Sequence, residues 1–306
     1  TRDSNTKLLM HMDGVNNSTQ LFDHAGMDVN SDGSITSQVK ANTTYGQSIV
    51  SYTGTGSAAT VGHGLSSAPE MIISFNRGGG QDRDVYHVSM GNGKYMRLSS
   101  DVAAITNSGP WNNTTPTSSV VSLGDRYTVN QADRDIVLYC FHSVTGYSKF
   151  GSYTGNGNAT GPTVTTGFKP AFVMIKVSTA IDHWHIYDNM RSADGPGDDY
   201  LTANRNNAEA ENHSQEIDFL DTGFQLKSNN AGSNANTETY IYMAFADNRE
   251  YHVGIDQSGN NNDFNTESTT ENARCLDTPS NNFCTMNSIN DHALGTGTLE
   301  GGNNHI

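Results

Sequence analysis

Ser51-Tyr52-Thr53-Gly54-Thr55-Gly56 returns later in the chain as Ser152-Tyr153-Thr154-Gly155-Asn156-Gly157. One chance hexapeptide would carry little weight. Held at the same offset, however, Pro69 meets Pro170, Met71-Ile72-Ile73-Ser74-Phe75 meets Phe172-Val173-Met174-Ile175-Lys176, and Tyr86 meets Tyr187. Further on, with small shifts, Leu123-Gly124-Asp125-Arg126-Tyr127-Thr128-Val129 resembles Leu220-Asp221-Thr222-Gly223-Phe224-Gln225-Leu226. Each copy closes in an apolar run, Ile136-Val137-Leu138-Tyr139-Cys140-Phe141 and Tyr240-Ile241-Tyr242-Met243-Ala244-Phe245. The landmarks keep their order, so they mark an internal repeat. A period of about 100 residues is too long for a solenoid and fits one independent sandwich domain.

The runs after Pro69 and Pro170 are short, nearly continuous in apolar residues and opened by proline, which a strand tolerates at its first position. They read as central strands covered on both faces, or as strands in a tightly packed sandwich core. The Gly-Thr-Gly and Gly-Asn-Gly stretches read as turns. No amphipathic pattern of helical length appears, and Asn206 to Glu216 is polar throughout. Composition agrees. Apolar residues are 34% and charged residues 16% of the 306, and Gly, Asn, Ser and Thr fill the gap. Those four are poor helix interiors and good turn formers. The sequence therefore predicts an all-β protein of two tandem antiparallel β-sandwich (jelly-roll-like) domains, 46–150 and 151–250. A partial β module precedes them at 1–45. An Asn-rich stretch, 251–306, follows as the start of a further module or a docking tail.

The formal net charge is −15. Phosphate backbones and anionic membrane surfaces would repel such a chain, which argues against nucleic-acid partners and membrane attachment. No apolar run approaches the roughly 18 residues of a membrane span. Cys140, Cys275 and Cys284 are too few and too irregular for a disulfide framework or a zinc site. Cys140 reads as a buried free thiol, and Cys275 and Cys284 as a candidate pair.

The strings at 141–157 (FHSVTGYSKFGSYTGNG), 166–176 (TGFKPAFVMIK) and 239–248 (TYIYMAFADN) closely resemble a domain family common in structural proteins of tailed phages, particularly marine ones. Residues 5–26 resemble the opening strands of laminin-G or concanavalin-like modules in phage tail fibres. Residues 256–264 and 276–287 resemble the start of a further sandwich module. The resemblance implies a virion protein, in a tail fibre or surface appendage, and a chain that is a segment of a longer one. It carries no catalytic residues.

Asp28, Asn30, Asp32 and Ser34 place side-chain oxygens at alternate positions, with Gly33 at the sixth, as in the first half of an EF-hand calcium loop. The acid due at the twelfth position is Val39. Calcium is the one cofactor suggested, against the alternative of a polar turn between strands. His183 and His185 sit two apart and would share a strand face, a pairing able to hold a transition metal. The competing reading is an exposed face opposite a buried Trp184. Trp111, Trp184, Tyr187 and Tyr95 are candidate stacking platforms for sugar rings, set against core roles for the same aromatics. Asp82/Asp84 and Asp198/Asp199 are carboxylate pairs of the kind a glycosidase needs. No nucleophile motif or phosphate loop accompanies them.

The function expected from these readings is non-enzymatic: a phage virion protein that contacts the host, with cell-surface glycan as ligand. Its partners would be copies of itself, a trimer first by analogy with fibres, and other virion proteins. The alternatives are an architectural capsid decoration or appendage protein without a ligand, or a polysaccharide depolymerase.

Overall fold

The computed structural model of the protein describes residues 27–79, 82–189, 199–209 and 217–246. In the first repeat the strands are β1 (Asp28–Asn30), β2 (Ser37–Asn42), β3 (Gln47–Thr53), β4 (Ala59–Gly62), β5 (Met71–Asn76), β6 (Asp84–His87), β7 (Lys94–Arg97), β8 (Ile105–Thr106), β9 (Val120–Leu123) and β10 (Asp135–Phe141), with a short helix α1 (Tyr127–Asn130). In the second they are β11 (Ser148–Thr154), β12 (Thr163–Thr165), β13 (Pro170–Val177), β14 (His185–Asp188), β15 (Leu201–Thr202), β16 (Ile217–Leu220), β17 (Gly223–Leu226) and β18 (Thr239–Ala246), with α2 (Ala231–Asn234). The fold is all-β, and its strand ladders are antiparallel.

The internal repeat is a repeat of topology. The order β3-β10-β5-β6-β7 in one large sheet is matched by β11-β18-β13-β14-β15 in the other. The small sheet β4-β9 is matched by β12-β17. The closing apolar runs, β10 and β18, are central because each pairs on both edges; β18 buries both faces, whereas β10 buries one and leaves Tyr139 exposed on the other. Strands β1 and β2 extend the first large sheet beyond β3, so residues 28–42 share the sheet of the first repeat. One detail of the sequence alignment changes. Leu123 ends β9, and its counterpart ending β17 is Leu226, whereas Leu220 lies on the added strand β16 opposite Gly223. The extra hairpin strand displaces the match.

Three apolar layers hold these sheets. Val61, Val121 and Leu123 from the small sheet meet Val50, Ile72, Ile136 and Leu138 from the first large sheet. Val164, Phe224 and Leu226 meet Val173, Ile175, Tyr240 and Tyr242 in the second copy. The third layer joins the repeats. Met71, Val85 and Met96 of the first large sheet pack against Phe150, Met174, Trp184, Ile241 and Met243 of the second. Side chains alternate faces along a strand, so Met71 and Ile73 face this seam while Ile72 faces the first core. Among the described residues four buried methionines, with half-buried Met90 against them, fill the seam. Their unbranched, adaptable side chains suit a join between two sheets that are not copies of each other in side chain.

The recurring Ser-Tyr-Thr-Gly-x-Gly segment has a structural cause. Asn130, the last residue of α1, is buried, and its Oδ1 accepts the Thr55 N–H at 2.8 Å while its Nδ2 donates to the Gly124 carbonyl at 2.9 Å. Asn234, the last residue of α2, repeats this, accepting the Asn156 N–H at 2.8 Å and donating to the Ser228 carbonyl at 2.8 Å. The tyrosine hydroxyls anchor the same helices: Tyr52 donates to the Val129 carbonyl and Tyr153 to the Ser233 carbonyl. Both glycines are required. A Cβ on Gly54 or Gly155 would sit 2.2 or 2.1 Å from a backbone carbonyl oxygen, and Gly56 and Gly157 have φ of +73° and +66°. The Gly56 and Gly157 N–H groups donate to the Asn130 and Asn234 carbonyls, so these turns spend their donors internally rather than on a phosphate.

Candidate functional site

The four aromatic candidates for sugar stacking lie in the core. Trp111 is fully buried, with its ring edge-on to Tyr86 at 5.9 Å. The loop that carries it turns inward because Asn112 and Asn113 adopt left-handed backbone conformations, at φ of +47° and +50°. Tyr95 is buried, its ring beneath the Arg126 guanidinium at 4.7 Å. Trp184 is buried in the seam and donates from Nε1 to the Arg97 carbonyl at 2.9 Å. Tyr187 is fully buried in the second core. None of these faces is open to a sugar ring, which corrects the stacking expectation for Trp111, Trp184, Tyr187 and Tyr95.

The acidic turn joins β1 to β2. Asn30 Oδ1 accepts the Asp32 N–H at 2.9 Å, and its Nδ2 faces the Asp32 carboxylate at 3.2 Å. Ser34 Oγ accepts the Thr60 N–H at 2.9 Å. Asp28 is in the β1 ladder opposite Val39. Asn30 thus presents an amide donor to Asp32, and the Ser34 hydroxyl turns toward β4. The side chains are arranged as an Asx turn rather than as a ring of oxygens around calcium.

His183 and His185 do not share a face, because regular strand begins only at His185. His183 Nδ1 meets Asn204 Nδ2 at 2.9 Å, while His185 is buried with Nε2 at 3.2 Å from Asp182 Oδ1 and its ring against Tyr200. Trp184 between them is buried, as the competing reading has it, but His185 is buried too. Among the described residues no group of three His, Cys, Asp or Glu side chains could hold a metal. Cys140 is a buried free thiol whose pKa burial pushes up to about 12, an inert state. Cys275, Cys284 and Asp198 lie outside the described residues, as do the strings at 5–26, 256–264 and 276–287.

Asp84 is no surface carboxylate. It is fully buried in β6, clasped by Arg126 Nε and the Thr128 hydroxyl, with Arg97 Nε at 3.9 Å from its other oxygen. Burial raises its pKa even against these partners. Asp82, by contrast, is half-buried at the surface, where Arg97 Nη1 approaches it at 3.3 Å. The pair is therefore one buried structural acid and one peripheral acid, not two carboxyls facing a cleft.

What the fold does open is a cleft of about 810 Å³ where the two repeats meet. Asp82, Arg83 and Ser99 line it from the first repeat, and Ala203, Asn204, Arg205, Asn206 and Asn207 from the second. Bonds cross the seam between the repeats. The Trp184 indole donates to the Arg97 carbonyl, and the Asp182 N–H donates to the Asp101 carbonyl at 3.0 Å. Asn204 is held from below, its Oδ1 accepting the Trp184 N–H at 3.1 Å and its Nδ2 against His183. Arg205 and the two asparagines after it are exposed. Burial, helped by the Arg205 charge, lowers the His183 pKa. The cleft volume lies in the range of small-molecule sites, and among the described residues its lining is polar apart from Ala203.

Sequence reasoning missed Arg83, Ser99 and Asn204–Asn207. They come from separate loops of the two copies, and only the packing of one repeat on the other brings them together. The only local signal is the run Asn204-Arg205-Asn206-Asn207 following a short strand.

A family model described as a domain of unknown function (DUF7483) matches residues 18–249. The match spans both repeats and the strand pair before them. No curated protein and no solved structure matches the chain.

Proposed function

We propose that the chain, which belongs to the DUF7483 family, is a non-enzymatic surface protein of a phage particle, part of a tail fibre or appendage, that attaches to the host through glycan. The observation that carries the attachment half is the polar cleft between the repeats. Asparagine amides offer paired donors and acceptors of the kind sugar hydroxyls require. The virion half rests on the likeness of residues 141–157, 166–176 and 239–248 to phage structural domains. Copies of the chain on one particle would multiply a weak single-site affinity. Against a depolymerase stands the burial of Asp84, which removes one member of the nearest carboxylate pair.

The test is adhesion of the fluorescently labelled protein to bacterial cells, before and after enzymatic stripping of their surface polysaccharide. The proposal expects adhesion that stripping abolishes. Undiminished adhesion to stripped cells would remove glycan from the account. No adhesion to any host leaves the architectural reading in front.

A further inference from the structure

We propose that Asn92 is a site of spontaneous covalent modification, at which the side chain closes on the Gly93 nitrogen, loses ammonia and takes up water to leave aspartate or isoaspartate just before β7. The chemistry needs only water and is independent of any role in attachment.

The chain holds two Asn-Gly pairs, Asn92-Gly93 and Asn156-Gly157. Glycine in second place obstructs such a ring closure least, because no Cβ shields the attacking nitrogen. The fold treats the two pairs oppositely. Asn156-Gly157 belongs to the repeated clamp. The Gly157 N–H donates to the Asn234 carbonyl at 3.0 Å. The Asn156 carboxamide is held at both ends. Its Nδ2 donates to the Thr160 carbonyl at 3.1 Å, and its Oδ1 accepts the Asn158 N–H at 3.0 Å and Asn234 Nδ2 at 3.0 Å. Ring closure there has to break these bonds first.

Asn92-Gly93 is the turn between the 3-10 helical segment Val88–Met90 and β7. Among the described residues the Gly93 N–H has no acceptor. The half-buried Asn92 side chain makes one bond, from Nδ2 to the hydroxyl of exposed Thr115 at 2.9 Å. Water competes readily for a bond in that position. A Cβ added at Gly93 would meet only Asn113 Oδ1, at 3.2 Å, so the turn has room to reshape. The nucleophile and the carbon it attacks are both uncommitted here, and both are committed at Asn156.

Hydroxide takes the Gly93 amide proton, and the nitrogen lone pair forms a bond to Asn92 Cγ. The bond from Cγ to Nδ2 breaks, and Nδ2 leaves as ammonia with a proton from water. Water then adds to either carbonyl carbon of the cyclic imide, and the bond from that carbon to the Gly93 nitrogen breaks. Opening at Cγ gives aspartate. Opening at the main-chain carbonyl carbon gives isoaspartate, whose backbone runs through Cγ. One water is consumed and one ammonia released. Either product adds a carboxylate, and isoaspartate also adds a methylene to the main chain beside Gly93, whose carbonyl accepts the Asn107 N–H at 3.0 Å.

The experiment incubates the full chain at mildly alkaline pH in heavy-oxygen water, folded and in urea, and follows both Asn-Gly peptides by mass spectrometry. In the folded protein Asn92 converts at least about tenfold faster than Asn156, as expected when several ordinary hydrogen bonds have to break before attack. In urea the two rates converge. Gly93→Ala slows Asn92 and leaves Asn156 as it was. The product carries heavy oxygen and contains isoaspartate, read by labelling with an isoaspartyl methyltransferase.

Equal rates in the folded protein, or faster conversion at Asn156, overturn the assignment. So does an Asn92 that stays intact in the folded protein while the unfolded chain converts. Aspartate without isoaspartate would mean direct hydrolysis of the side-chain amide and overturns the ring closure. A rate difference that persists undiminished in urea would belong to neighbouring sequence and overturns the structural account.

Discussion

The His87 imidazole reaches from the first repeat to the central strand of the second, with Nε2 at 3.2 Å from the Tyr242 carbonyl oxygen. Its other nitrogen accepts the Ser89 N–H at 3.2 Å, so the ring has one donor role and one acceptor role and is held neutral. His87 is buried, and burial lowers its pKa to about 4. His63 is placed alike, accepting the Leu65 N–H on Nδ1 and facing the Thr117 carbonyl with Nε2, and its pKa is also lowered by burial.

These histidines make stability depend on pH. A base whose folded pKa lies below its unfolded value binds protons more readily when unfolded. The stabilising effect is therefore complete above pH 6.5 and is lost as pH falls toward 4. For His87 the full loss, complete once pH is below about 4, is roughly 3 kcal/mol. Burial of Asp84 works the other way, because its carboxyl takes a proton more readily in the folded state than in the unfolded one. Urea unfolding between pH 7 and pH 4.5 shows falling stability, and His87→Gln flattens part of the slope. A flat profile over that range in the parent protein would contradict the buried neutral assignment.

Asn130 and Asn234 are the clamps that the repeated motif serves. Asn130→Ala leaves the Thr55 N–H and the Gly124 carbonyl without their partner. The cost is about 2–4 kcal/mol, and Asn234→Ala costs a similar amount through Asn156 and Ser228. Chemical denaturation of each variant measures this. Costs below about 0.5 kcal/mol in both, the range of ordinary surface substitutions, would mean that the amides do not hold the turns.

The two tryptophans report directly on the corrected aromatic assignments. Trp111 and Trp184 are both buried, and they are the only two in the chain. Emission is therefore blue-shifted and resists acrylamide, and saccharide leaves it nearly unchanged. Red-shifted emission that a sugar quenches would return one of them to the surface.

Asp84 anchors β6 to the segment around α1. Asp84→Ala strands Arg126 beside a buried void and costs about 3–5 kcal/mol, the usual penalty for removing one partner of a buried pair. Asp84→Asn keeps an acceptor for Thr128 and costs less. Thermal melts rank the three proteins, and an Asp84→Ala protein as stable as the parent would deny the clasp a structural role.

Much of the fold was legible in the sequence, because the short apolar runs and the recurring motif are local signals. Pro69 and Pro170 introduced central strands, and the runs at 136–141 and 240–245 became the middle of each large sheet. The seam was not legible. Met71 and Met174 look alike in sequence to any other core residue, and their meeting depends on how one repeat lies on the other. Trp111 misled because a Gly-Pro-Trp-Asn-Asn stretch has the composition of an exposed loop, while two asparagines in left-handed conformations turn its indole inward. His183 and His185 misled because period two holds only within a strand, and the strand starts at the second of them. The cleft residues were hidden for the same reason as the seam: Arg83 and Arg205 lie far apart along the chain.

Cryo-electron microscopy of intact phage particles that carry this chain tests the central claim most directly. The account predicts density for the two-repeat body at the periphery of the particle, with the Arg83–Arg205 cleft turned outward to the host. Density with that cleft buried against neighbouring subunits, or particles that lack the chain altogether, would contradict it.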